Sequence, residues 1–167
     1  MSDQAVEVAL SLGSNVRRYH HINAGLNALE AEFGRVQCSP IYESAAVGFD
    51  GSPFLNLIAV IKTTRPLLQI VQRLKEIEDA NGRVRSGPKF SPRTLDIDVV
   101  TYGDLSGIVD GIELPRPELF KNAFVLLPLF NLWSDRIVPG RTATYAELWF
   151  ELERQQQELH QVGFERR

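Results

Sequence analysis

The chain is poor in the residues that make cross-links and soft metal sites. Among 167 residues there is one cysteine, Cys38, so no disulfide can close within the chain and no all-cysteine zinc site can form. The histidines supply no metal site either: His20 and His21 are adjacent and point apart on a helix, and His160 falls in a surface helix. No apolar run approaches the ~20 residues that span a bilayer. The longest, Ala123 to Trp133, is interrupted by Pro128 and Asn131. The first residues carry early acids and no basic stretch, so no secretory leader is expected. Charge of one sign is also missing: 18 Lys and Arg against 21 Asp and Glu leave a net −3, which argues against a nucleic-acid binder. There is no internal repeat and no linker. What remains is average globular usage, 44% hydrophobic and 23% charged, in a chain long enough to bury a sizeable core. A single domain over 1–167 is expected, cytoplasmic and monomeric, with no membrane partner.

Periodicity divides the chain. Val6, Val8, Leu10 and Leu12 alternate and predict a half-buried strand, which Gly13-Ser14-Asn15 breaks. Ile22, Leu26, Leu29 and Phe33 recur at helical spacing, with Gly34 placed to close the helix. A short strand is predicted over about Val36 to Tyr42, a loop over Glu43 to Pro53, and a strand over Leu55 to Thr63. Pro66 suits the first turn of a second helix, whose apolar face is Leu67, Ile70, Val71, Leu74 and Ile77 and whose end is Gly82. After a basic loop, Leu95 to Tyr102 reads as the next strand. The order β-α-β-β-α-β is that of a ferredoxin-like α+β sandwich. The C-terminal third adds a hairpin near Ile108 to Leu114 and an apolar helix from about Glu118, disturbed by Pro128. A last helix opens with Thr144 and Glu147, spaced as a capping box. Cys38, Trp133 and Trp149 read as packing residues.

The chemistry concentrates around residue 95. Asp96 and Asp98 leave the same face of a strand with Cα atoms ~7 Å apart, while Leu95, Ile97 and Val99 point the other way. Adjacent carboxylates repel unless a cation lies between them, and hard oxygen ligands suit Mg²⁺, which also takes substrate phosphates. Arg83, Arg85, Lys89 and Arg93 enter this strand in a loop with no acid and with Gly87, Pro88 and Pro92. Arginine forks match phosphate oxygens. Cations beside a carboxylate-held metal are what neutralises a polyphosphate during transfer. A P-loop is excluded: Gly82-Arg-Val-Arg-Ser-Gly87 is followed by Pro88 where that motif needs lysine, and the loop runs from helix to strand.

Pro92-Arg-Thr-Leu-Asp-Ile-Asp-Val-Val100, preceded by Gly82-Arg-Val-Arg85, resembles the signature of the 6-hydroxymethyl-7,8-dihydropterin pyrophosphokinases of folate biosynthesis. Leu12-Gly-Ser-Asn15, Phe54-Leu-Asn56, Leu114-Pro115 and Phe124-Val-Leu-Leu-Pro-Leu129 extend the resemblance over nearly the whole chain. It implies that ATP gives its β,γ-pyrophosphoryl group to the hydroxymethyl oxygen of a reduced pterin, leaving AMP. By resemblance Asp96 and Asp98 hold two Mg²⁺ ions, and Arg83, Arg85 and Arg93 contact phosphates and close the loop over ATP. Glu78 and Val99 lie along the nucleotide, with Arg116 where the family usually has an ATP-contacting His. Phe54 and Phe124 would sandwich the pterin, Asn56 would read its edge, and Ser44 and Val47 would touch the ring.

Arg116 is one departure from the family. Asn122 stands where Arg is usual, Phe90 where Trp is common, and Ser91 where Gly is usual. Arg116 and Asn122 motivate a second reading, a diverged paralogue that binds pterin or ATP with weak or altered transfer. An RNA-binding module would need exposed aromatics on central strands, a position this reading gives to Asp96 and Asp98.

Overall fold

The computed structural model describes residues 4–45, 52–82, 94–153, 159–164 and 166. The elements run β1 (Val6–Ser14), α1 (Arg18–Phe33), β2 (Gln37–Cys38), β3 (Ile41–Ser44), β4 (Phe54–Thr63), α2 (Leu67–Ala80) and β5 (Asp96–Tyr102). The hairpin β6 (Gly107–Val109) and β7 (Ile112–Leu114), a 3-10 turn at Pro117–Phe120, α3 (Ala123–Trp133), α4 (Tyr145–Glu153) and β8 (His160–Val162) follow. The main sheet is antiparallel in the order β5-β1-β4-β3-β8, with β2 also on β4.

The sheet is covered on both faces. On one, Val8, Leu10, Leu12, Leu57, Ile61, Ile97 and Val99 pack with Ile22, Leu26, Leu29, Ile70, Leu74 and Ile77 of α1 and α2. On the other, Ala9, Ile58, Val60 and Val100 pack with Leu126, Leu129, Trp133 and Tyr145 of α3 and α4. That explains why Leu57 to Ile61 reads as a continuous apolar run: every side chain is buried, whichever way it points. Helix α1 lies close enough at Gly25 that a Cβ there would stand 3.1 Å from Leu95 Cδ2.

Several sequence expectations shift. The strand expected over 36–42 is two pieces, because Pro40 has no N–H to donate. At the break Ser39 pairs with Ile58 instead, giving its N–H to the Ile58 carbonyl and accepting the Ile58 N–H at Oγ, each at 2.9 Å. The expected loop starts later than Glu43, since β3 continues to Ser44. The helix expected from Glu118 is a 3-10 turn and then α3, separated by the extended backbone of Asn122, whose carbonyl accepts the N–H groups of Val125 and Leu126. His160 opens a strand on the edge of β3, not a surface helix. His20 and His21 do not point apart; their rings meet edge to face at 5.0 Å. Cys38 is exposed on β2. Strand β5 is the outer strand of the sheet, not a central one, so Asp96 and Asp98 line an edge. The capping box forms as expected, with Thr144 N–H on Glu147 Oε1 at 3.1 Å and Glu147 N–H on Thr144 Oγ1 at 3.2 Å. The turn of β6-β7 has Asp110 and Gly111 at positive φ, as a tight hairpin requires. Among the described residues no helix is long and apolar enough to cross a membrane.

Candidate active site

The site grows from one row of the sheet. Register places Asp96 of β5 beside Gly13 of β1, Gly13 beside Asn56 of β4, and Asn56 beside Tyr42 of β3. Side chains of directly paired residues leave the same face, so this row crosses four strands on the side that α3 and α4 cover. One step along, Asp98 pairs with Ser11. Leu95, Ile97 and Val99 are buried in the opposite layer, which leaves Asp96 and Asp98 half-buried on the row's face, as alternation predicts. Gly13 keeps the row open. A Cβ there would lie 3.5 Å from Asn56 Oδ1 and 3.8 Å from Phe54 Cδ1.

Asn56 is held by its neighbours. It is 5% exposed, and its Nδ2 donates to Ser44 Oγ at 2.7 Å and to the Tyr42 carbonyl at 3.4 Å. Ser44 pairs with Phe54 across β3 and β4. Tyr42 donates its hydroxyl to Asn131 Oδ1 of α3 at 2.6 Å, and burial pushes its phenol up from the ordinary range. A polar chain therefore ties β4 through β3 to α3, the helix that carries Phe124. Phe54 and Phe124 are both half-buried. Pro128 cannot give the helical N–H that would bond the Phe124 carbonyl, so α3 is loosened at that turn.

The outer edge of β5 faces α2. Glu78 is buried and its Oε2 accepts the Ile97 N–H at 2.8 Å, which docks the end of α2 on the strand. Since the Ile97 N–H points away from β1, alternation turns the Val99 N–H to the same edge. Glu78, Ile97, Asp98, Val99, Ile112 and Arg116 line a cleft of about 160 Å³ here.

A β-bulge shapes the next residues. Leu10 pairs with Val99 but Ala9 with Thr101, so Val100 is extra. Its carbonyl accepts the Arg116 N–H at 2.8 Å. That bond brings the segment after β7 against β5 and sets Arg116 at the cleft, with Nη2 3.7 Å from Asp98 Oδ2 and Nε paired with Glu118 Oε2.

Of the residues singled out from sequence, Asp96, Asp98, Asn56, Ser44, Phe54, Glu78, Val99, Arg116 and Phe124 fall on this row, its covering helix or the adjoining cleft. Val47, Arg83, Arg85, Arg93, Phe90 and Ser91 lie outside the described residues, as does the expected closing loop. Sequence reasoning missed Tyr42, two residues before Ser44 on the same strand face, and Glu118, an acid two residues after Arg116. Both were findable from spacing alone. Among the described residues no group of three or more His, Cys, Asp or Glu forms a metal cage. Two carboxylates on one face fit a Mg²⁺ that keeps its waters and draws further ligands from phosphates.

Paired acids at the sheet edge and a buried amide two strands away thus share one face of the sheet. Residues 9–134 match the family described as 7,8-dihydro-6-hydroxymethylpterin-pyrophosphokinase, and the chain belongs to that family. It is similar to the 2-amino-4-hydroxy-6-hydroxymethyldihydropteridine pyrophosphokinase of Pseudomonas aeruginosa, 35% identical over 139 residues that cover 80% of this chain and 85% of that protein. The Haemophilus influenzae protein of the same name is 31% identical over 135 residues, covering 78% and 84%. Among solved structures, Plasmodium falciparum HPPK-DHPS crystallised with pterin and p-hydroxybenzoate superposes with a TM-score of 0.73. That likeness, at 15% identity, concerns the fold; it covers 93% of this chain and 44% of the longer one.

Proposed function

We propose that this chain transfers the β,γ-pyrophosphoryl group of ATP to the hydroxymethyl oxygen of 6-hydroxymethyl-7,8-dihydropterin, releasing AMP, in folate biosynthesis. The pterin hydroxyl oxygen forms a bond to the β-phosphorus, the bond from that phosphorus to the α,β-bridging oxygen breaks so that AMP leaves with that oxygen, and the hydroxyl proton passes to water. The observation that carries the reading is the row Asp96, Gly13, Asn56 and Tyr42, which sets a carboxylate and a buried amide on one face of the sheet two strands apart. Strands lie about 4.8 Å apart, so Asp96 and Asn56 are separated by about 10 Å, the scale of a bicyclic ring with its side arm.

Asp96 and Asp98 would hold Mg²⁺, two ions by family resemblance, with ATP as co-substrate. Bound there, Mg²⁺ neutralises phosphate oxygens and acidifies a hydroxyl that it contacts. Asn56 and Ser44 would orient the pterin edge, Phe54 and Phe124 would take its faces, and Val47 would complete the pocket. Glu78, Val99 and Arg116 would line the nucleotide along the β5 edge, where the Val99 backbone could offer hydrogen bonds to a flat heterocycle. Arg83, Arg85 and Arg93 would meet the phosphates. No observation in the described residues favours the diverged reading. We read the order β5-β1-β4-β3 with crossover helices α1 and α2 on one face as the ferredoxin-like sandwich, with the hairpin and later helices as additions. A cytoplasmic monomer completes the proposal.

The test is ATP, the dihydropterin and Mg²⁺ with the full chain, followed by chromatography for AMP and the pterin pyrophosphate. Asp96→Ala and Asp98→Ala should each lower turnover at least ~100-fold, the scale for removing charge stabilisation, and keep the thermal midpoint within a few degrees. Near-normal turnover in either variant would overturn the metal assignment.

A further inference from the structure

We propose that Glu118 is a positioning residue that holds the Arg116 guanidinium at the rim of the two-carboxylate face and offsets its charge there. It thereby sets how available Asp98 is to a divalent cation. The inference rests on the reading of Asp96 and Asp98 as the metal pair.

Arg116 cannot withdraw from β5. Its N–H is bonded to the Val100 carbonyl at 2.8 Å, and its own carbonyl accepts the Leu119 N–H at 3.0 Å. The Val100 carbonyl is free for that bond because the bulge takes it out of the ladder. Pro117, with φ preset, begins the 3-10 turn at once and places Glu118 against the same guanidinium. One guanidinium is thus shared by two carboxylates on unrelated elements: Nε on Glu118 Oε2, and Nη2 at 3.7 Å from Asp98 Oδ2.

The two carboxylates differ in what they can do. Glu118 Oε2 is withdrawn from water, and it meets the guanidinium as a close ion pair without an aligned hydrogen bond. Without the guanidinium, Glu118 Oε2 would be shielded from water with nothing to offset its charge, so Glu118 holds the guanidinium on its side. Asp98 lies on the open face at the longer distance, where a cation can reach it. With Glu118 neutralised, Asp98 is the carboxylate still within ion-pair reach of Arg116 among the described residues. The guanidinium would then close on Asp98, covering oxygen lone pairs and repelling an incoming metal ion. With Glu118 charged, the Arg116–Glu118 pair is neutral and Asp98 keeps its charge for the metal.

The probe is Mn²⁺ alone, titrated into the full chain and followed by electron paramagnetic resonance of the free ion, so that no turnover is needed. Glu118→Gln should weaken Mn²⁺ binding roughly 5- to 10-fold, the scale of an uncompensated unit charge a few ångström away in a partly solvated site. The double variant Arg116→Gln with Glu118→Gln should return to the wild-type value. Arg116→Gln alone, with Glu118 left charged, should bind Mn²⁺ at least as tightly as wild type, and it carries the test if Glu118→Gln fails to fold. Wild-type binding in Glu118→Gln overturns the inference. So does a double variant that stays as weak as Glu118→Gln, or a loss of binding in Arg116→Gln. Asp98→Ala separates the levels: if it leaves Mn²⁺ binding unchanged, the metal reading fails and this inference with it. If it abolishes binding while Glu118→Gln matches wild type, the inference alone fails.

Discussion

Replacing Gly13 by alanine should separate folding from function with opposite signs. The added Cβ would meet Asn56 Oδ1 at 3.5 Å, the Leu55 carbonyl at 3.8 Å and Phe54 Cδ1 at 3.8 Å. Those are ordinary van der Waals distances, and Gly13 is not among the residues with positive φ, so the fold accepts the methyl without strain. Glycine inside a strand costs roughly 0.5–1 kcal/mol relative to alanine through unfolded-state entropy, so the variant should be more stable by about that amount. The same methyl rises roughly 1.5 Å from the floor between Asp96 and Asn56. On the proposed reading a flat ring would rest there, and it would be displaced by a comparable distance from Asp96 and Asp98. Misplacement of about 1 Å costs on the order of 100-fold in rate, which corresponds to roughly 2.7 kcal/mol of lost transition-state stabilisation. Urea melts would read the first effect and AMP release from ATP and dihydropterin the second. Wild-type kcat/KM in a folded Gly13→Ala variant would refute the placement of substrate over this row. Loss of both stability and activity would refute the steric account.

Two further outcomes follow from the same geometry. Phe124→Ala should weaken pterin binding more than ATP binding, by about 0.5–1.5 kcal/mol beyond the lost contact area, as calorimetry with each ligand would show; a loss chiefly on ATP would remove Phe124 from the ring pocket. Stability should fall above about pH 10, where unfolded tyrosines ionise. Burial holds Tyr42 and Tyr145 protonated in the fold, so the unfolded state binds fewer protons there and each rise in pH favours unfolding. In denaturant melts between pH 9 and about 12, Tyr145→Phe should flatten that decline, and an unchanged slope would show that its hydroxyl does not contribute.

Local periodicity carried much of this protein. The alternation of Val6 to Leu12, the helical spacing of Ile22 to Phe33 and Leu67 to Ile77, the capping box at Thr144 and the shared face of Asp96 and Asp98 each depend on neighbours a few residues away. The structure has each of them. Errors came where a single residue interrupts an element, as Pro40 does between β2 and β3, and where a segment finds its partner far along the chain, as β8 does on β3. The row of the candidate site was not readable from any one segment. Asp96, Gly13, Asn56 and Tyr42 come from four strands, and their alignment is set by register, which follows from which face of each strand is buried against α1 and α2. The outer place of β5 and the bulge at Val100 are likewise tertiary. The first leaves an open edge beside Glu78, and the second turns a carbonyl toward Arg116, so that Asp98 and Glu118 come to share one guanidinium. Sequence alone determined which residues could do the chemistry, because side-chain type and strand alternation are local. Only the packed sheet decided which of them meet, because contacts across strands are paid for by burial of the whole layer and not by any residue's own neighbours.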